Sequence, residues 1–144
     1  QGDITGIFSV LVAGSDMEGP VADVMRGVLD GHVVLSREIA DRGRFPAIDP
    51  LASVSRALPA AATEAEFALI TEARQRLGAY ARAELMIQAG LYTAGADPMT
   101  DAAVAVWDRL DRFIGETSDG SPEGSFARLD AILRSPATET DTAS

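Results

Sequence analysis

Residues 4 to 12 read Ile-Thr-Gly-Ile-Phe-Ser-Val-Leu-Val, a β-branched and aromatic run bounded by Gly2 and by Ala13-Gly14-Ser15-Asp16. This is the strongest strand signal in the chain. Its near-continuous apolarity suits a central strand covered on both faces, as in a parallel sheet. Such a strand needs neighbours, and the remaining residues offer few. The run therefore predicts the end of an α/β domain whose sheet is completed by residues outside this sequence. The opening Gln1-Gly2-Asp3, with no methionine, adds to the expectation of a soluble piece of a longer or processed chain.

From Pro20 onward the pattern is mostly helical. Pro20 can serve as a first helical residue, and Val21, Val24, Met25, Val28 and Leu29 trace an amphipathic stripe. Val33-Val34-Leu35 fits either a short strand or a buried helical turn, because three residues carry no decisive period. Residues 36 to 42 favour helix and stop at Gly43. Pro46 and Pro50 then hold residues 45 to 51 extended or turned.

From Pro59 the character changes. Thr63-Glu64-Ala65-Glu66 is a capping box, in which the threonine and glutamate side chains each satisfy an orphan N–H at a helix start. Phe67, Ile70, Ala73, Leu77, Tyr80 and Met86 or Ile87 come next at helical spacing, and Gly90 suits a C-terminal cap. Asp97-Pro98 pairs an N-cap with a first-turn proline. Met99, Ala103, Val106, Leu110 and Phe113 mark the next helix face, up to Gly115. Residues 117 to 124 (TSDGSPEG) form a turn-rich linker, residues 125 to 134 a short last helix, and the polar stretch from Pro136 is expected to be disordered. The expected fold is mainly α: the end of an α/β domain with one or two strands over 1–58, then an all-α helical bundle over 59–115. Residues 116–134 make a linker and last helix, and 135–144 a tail.

Composition narrows the chemistry. The chain has 144 residues, of which 47% are apolar, enough to build a core. Its charge is −10, from 12 basic and 22 acidic residues, a field that repels phosphate backbones and anionic lipid and excludes broad nucleic-acid binding. There is no cysteine, so disulfides, thiol catalysis and thiolate metal sites are absent. All 12 basic residues are arginine. Without lysine there is neither a complete phosphate-binding P-loop nor Schiff-base chemistry. The single histidine, His32, excludes a two-histidine zinc site, and no metal site is expected. Composition by itself describes a non-catalytic acidic domain.

His32 with Ser36 and Asp30 has triad-like residue types but lacks the strained turn of a nucleophile elbow, and reads as a structural histidine. Glu64, Glu66, Glu72 and Glu84 alternate with Arg74, Arg76 and Arg82 as a solvated helix face, including a Glu72–Arg76 pair in the favourable order. The stretch 29–58 sets Arg37, Arg42, Arg44 and Arg56 among apolar residues, with Phe45 before a rigid proline. By residue type alone, Arg56 is a structural or surface arginine.

The run LDGHVVLSREIADRG-RFPAIDPLASVSRAL resembles the C-terminal portion of the flagellar and type III secretion ATPases, relatives of the rotary ATP synthase catalytic subunits. The opening GDITGIFSVLVAGSDM resembles the strand that precedes it, and IQAGLYTAGADP resembles a segment of the family's helical C-terminal domain. The likeness runs in order through about residue 115. It implies a RecA-like core at the start of the chain, and a cytoplasmic protein at the inner face of the inner membrane. It also implies a homohexamer that hydrolyses ATP with magnesium to energise protein export. The implied partners are export chaperones and substrates, a stator-like regulator, a central stalk and the membrane export gate. The P-loop, magnesium-binding acid and catalytic glutamate lie upstream in the family, so this segment alone is expected to be inactive and to hold no nucleotide tightly.

The resemblance also assigns roles. Arg56, in Ser53-Val54-Ser55-Arg56, matches the arginine finger that reaches a neighbouring subunit's γ-phosphate. Phe45 matches the aromatic that stacks on adenine. Tyr80, Ala83 and Met86 align with the other wall of that pocket, although a place in the bundle core explains them equally well. Arg37 and Asp49 match recurrent positions and read as an interface or internal ion pair. Two alternatives stand beside the export reading: an acidic helical module that docks export chaperones, substrates or stalk proteins, and a fragment of an ATP synthase-type subunit.

Overall fold

The structure is a computed structural model that describes residues 2, 4–12, 19–118 and 120–134. Helix α1 (Pro20–Val28) has proline in its first turn, where the missing N–H leaves no intrahelical bond unmade. An antiparallel pair comes next, β1 (Gly31–Leu35) with β2 (Ile48–Ser55), and the short helix α2 (Arg37–Asp41) lies between them in sequence. Val33-Val34-Leu35 is thus strand rather than helical turn. Gly43, at φ +81°, turns the chain out of α2 in the left-handed region that favours glycine.

The pairing is interrupted. His32 faces Val54 and Val34 faces Asp49, so Pro50 to Ser53 bulge out against the one intervening residue, Val33. A bulge tolerates a proline that a regular ladder would exclude. Asp49 organises it: its carboxylate accepts from Leu51 N–H (2.8 Å) and Ala52 N–H (3.1 Å). Ser53 Oγ donates to Asp49 O (2.5 Å) and accepts from Val34 N–H (3.0 Å).

Residues 4–12 form no strand, contrary to the expectation from their sequence. Ile4, Ile7 and Leu11 are 98%, 94% and 97% exposed. A run built to be covered on both faces needs neighbouring strands to take its N–H and C=O groups. Among the described residues the two strands pair with each other and leave it none. The stripe on α1 is likewise open, with Val21, Val24 and Val28 exposed and only Ala22 buried. The turn expected at Ala13–Asp16 and the tail beyond Pro136 lie outside the described residues.

Three helices make the core: α3 (Glu64–Gln88), α4 (Pro98–Gly115) and α5 (Pro122–Arg134). Thr63 and Glu66 form the expected capping box, with Glu66 Oε2 taking Thr63 N–H at 2.8 Å. At the other end of α3, Gly90 adopts φ +69°. Gly90 N–H bonds Ile87 O (3.0 Å) and Leu91 N–H bonds Met86 O (2.9 Å), the paired closure of a Schellman cap. The Asp97 carboxylate caps α4 through the N–H groups of Met99 and Thr100. Helix α5 begins three residues before the expected start, because Ser121 Oγ accepts Gly124 N–H and Pro122 supplies the first turn. Ala73 and Leu77 of α3, Val106 and Leu110 of α4, and Leu129 and Leu133 of α5 interlock as one buried cluster. The architecture is mainly α, a small sheet followed by an all-α bundle, in line with the sequence pattern.

Candidate functional site

Arg56 leaves β2 at the sheet end nearest α1. Its N–H donates to Asp30 O (2.8 Å), which extends the pairing of Ser55 with Gly31 by one bond. A Cβ on Gly31 would lie 2.7 Å from Val54 O, so glycine is what lets the strands close here. The exposed Arg56 side chain folds back on α1: Nη2 donates to Arg26 O (2.7 Å) and Nη1 to Gly27 O (3.4 Å). Those carbonyls end the helix, where the dipole favours a cation. The guanidinium is anchored by two of its N–H groups, and the others remain available to a ligand.

Phe45 sits in the turn between Gly43 and β2 and is 66% exposed, a large apolar ring open to solvent. The turn is fastened to the helices on both sides of it. Arg42 pairs with Glu84 of α3 at 2.9 Å. The largely buried Arg44 pairs with Asp111 of α4 at 2.8 Å, and its Nη2 donates to Ile48 O (2.8 Å). Gly115 closes the contact, since a Cβ there would meet Arg44 Cγ at 3.2 Å.

Tyr80 lies one turn before Glu84 on α3. Its ring stacks on Trp107 of α4, with centroids 3.8 Å apart and planes within 4°. Trp107 in turn lies one helical turn before Asp111. Burial, and then the nearby carboxylates of Glu84 and Asp108, push the Tyr80 hydroxyl above its usual range. Ala83 is buried within the bundle and Met86 is half-exposed. Met86 O also receives the Schellman bond from Leu91. Arg42 and Arg44, which precede Phe45, are thus tied to Glu84 and Asp111, one turn from Tyr80 and Trp107, while Arg56 is anchored on α1.

Several features are invisible in the sequence. Trp107, the one tryptophan of the chain, flanks the predicted α4 stripe and carries no periodic signal of its own. The expected solvated face of α3 is only partly so. Glu72 and Arg76 do pair, but Glu84 bridges to Arg42, and Arg74 reaches the β2 bulge. Asp49 serves the bulge backbone, while Arg37 pairs with Asp41 at 3.8 Å. His32 lies in β1 opposite Val54. A surface trough lined in part by Thr71, Gln75 and Met99 includes none of the five predicted site residues.

Two family profiles match the chain in succession. "ATP synthase alpha/beta family, nucleotide-binding domain" covers residues 1–55, and "T3SS EscN ATPase C-terminal domain" covers 62–129. The chain belongs to the family of flagellar and type III secretion ATPases. It is 43% identical over 134 residues to the flagellum-specific ATP synthase of Caulobacter vibrioides, a match over 92% of this chain and 30% of the relative. The assembled ATPase EscN of the enteropathogenic E. coli type III secretion system superposes with a TM-score of 0.81 at 32% identity, covering 86% of this chain and 31% of EscN. EscN in complex with its central stalk EscO gives 0.73 at 34% identity, covering 79% and 29%. The chain thus spans about a third of the length of the proteins it matches. Phe45 lies within the first profile, which ends at Ser55, and Arg56 is the next residue.

Proposed function

We propose that the chain is the completing part of an ATPase that energises flagellar or type III protein export, a cytoplasmic protein working at the inner face of the inner membrane. Arg56 is the residue assigned to catalysis. It acts in trans, neutralising charge on the phosphoryl group of ATP held by the neighbouring subunit of a homo-oligomer, a hexamer when active. The observation that carries this reading is that its guanidinium is exposed yet anchored on the α1 carbonyls, at the end of the Ser53-Val54-Ser55-Arg56 segment. A planar, permanently charged fork held in this way meets spreading phosphoryl charge with little reorganisation. The boundary between the nucleotide-binding part and the helical domain falls at residues 58 and 59.

Phe45 stacks on the adenine of ATP in cis. Its open ring face fits a planar base, and the Arg42–Glu84 and Arg44–Asp111 pairs hold its turn in place. Tyr80 backs the pocket from its stack on Trp107, Ala83 packs behind it, and Met86 offers an exposed thioether at the rim. Magnesium is assigned no seat in this stretch. Its ligands, like the P-loop, are assigned to upstream residues, and the fragment alone holds neither metal nor nucleotide tightly.

The test is Arg56→Ala in the full-length protein. Hydrolysis falls by about 10³-fold or more, while equilibrium binding of ATP stays near wild type. Wild-type turnover in that variant would remove the finger assignment.

A second role attaches to the bundle. The α3–α4 hairpin exposes Leu85 (81%) and Leu91 (73%) near its tip, and EscN has been captured with a central stalk. We assign the acidic hairpin to docking stalk, chaperone or substrate proteins, with the stator-like regulator and the export gate as further partners. Leu85→Asp together with Leu91→Asp then weakens stalk capture and leaves stalk-free hydrolysis unchanged.

A further inference from the structure

Helix α3 reaches out of the bundle at one side chain to grip the strand that carries Arg56. Arg74 Nη1 donates to Pro50 O and to Ser53 O (3.3 Å), and Nη2 donates to Leu51 O (3.1 Å). These are the carbonyls of the β2 bulge, which the ladder leaves without cross-strand partners. The carbonyls sit on the helical side, while Asp49 and Ser53 fix the same bulge from within. Ser53, the last of the three, is three residues from Arg56, and only Val54 and Ser55 separate them. Both of those pair back to β1, so the strand between clamp and finger has no slack.

We propose that Arg74 is the positioning residue for Arg56, and that through it the helical bundle sets the reach of the finger into the neighbouring subunit. This rests on the finger role of Arg56. Geometry supports a coupling role: a fork that spans three carbonyls fixes both the position and the tilt of the bulge, which a single point charge cannot do. A shift of α3 therefore moves the end of β2. The Arg56 guanidinium, tethered to α1, converts that movement into a change of reach. The helical bundle, to which no phosphoryl-transfer role is assigned, thereby governs hydrolysis one subunit away.

Mixed oligomers of the full-length protein test this. Arg74→Ala is expected to lower kcat by about tenfold or more with KM changed by less than about threefold. Arg74→Lys, which keeps the charge but not the fork, should fall between Ala and wild type. Mixing Arg74→Ala subunits with subunits whose upstream P-loop lysine is replaced by alanine should restore turnover. The first retain an intact nucleotide site and the second present an intact finger to it. Arg56→Ala mixed in the same way is the control. Rescue of Arg56→Ala but not of Arg74→Ala overturns the positioning role and leaves the finger standing. Full activity of unmixed Arg56→Ala overturns the finger reading and the inference with it. If Arg74→Ala fails to assemble, Arg74→Lys carries the same comparison, and wild-type kcat in it overturns the proposal.

Discussion

Arg56 and Phe45 owe their expected roles to opposite kinds of exposure. The guanidinium is exposed but tethered by helix carbonyls, while the phenyl ring stands open to solvent. Base–aromatic stacking is worth about 1–3 kcal/mol. Phe45→Ala should therefore weaken ATP binding by roughly 5- to 150-fold, read by nucleotide titration. Phe45→Tyr, which keeps the π-face, should stay close to wild type. The two tyrosines report on their own contacts. Tyr92 donates to Asp101 Oδ1 at 2.7 Å, and that bond is the main cause that lifts its hydroxyl to about 12. Tyr80 is raised by burial first. A raised acid is favoured while protonated, so the Tyr92 clasp holds fully below the free tyrosine range and is lost as pH rises through about 12. Ultraviolet titration of the tyrosinate band should show no component at the free-tyrosine value. Asp101→Asn should bring the Tyr92 component down toward it.

Among the elements, legibility followed the strength of local chemistry. Helices α3 and α4 were readable because Thr63, Glu66, Asp97 and Gly90 mark their ends by mechanisms that operate in any context. Strand β2 was not, because Pro50 and the four-residue bulge break the alternation that announces a strand. Residues 4–12 had the signal without the partners, and a strand is defined by its partners. Arg74 gave no sign at all: its spacing matches a solvated face, and only tertiary placement turns it toward the bulge. Thr63→Ala should cost about 1 kcal/mol of stability, read from denaturant unfolding. Gly31→Ala should push β1 off Val54 O and impair hydrolysis in the full-length protein more than it impairs assembly, because the displaced residues lead directly into Arg56. The α4 cap adds a pH dependence. Bonds from Thr100 and Met99 hold the Asp97 carboxyl below its usual range. Its contribution is present above the ordinary carboxylate value and is lost as pH falls through the lowered one.

Across the whole chain, the sheet part and the bundle are joined by arginines. Arg42, Arg44 and Arg74 each cross the joint, to Glu84, to Asp111 and to the β2 carbonyls. Arg44 is the most buried of them, with its side chain 10% exposed. Removing it strands Asp111 and leaves Ile48 O without that donor, so Arg44→Ala should cost about 2–4 kcal/mol, below the full penalty of a completely buried pair. Loss of the joint should also blunt any effect of the bundle on hydrolysis. The absence of lysine, which by itself pointed away from catalysis, fits a division of labour in which one part of a chain binds phosphate and another reaches across to it. A transition-state mimic separates those two tasks. In the full-length oligomer, Arg56→Ala should bind ADP within about threefold of wild type yet bind ADP with aluminium fluoride about 100-fold or more weaker, since a finger acts on charge developed in the transition state. Equal affinity of the variant and wild type for the mimic would contradict that division of labour.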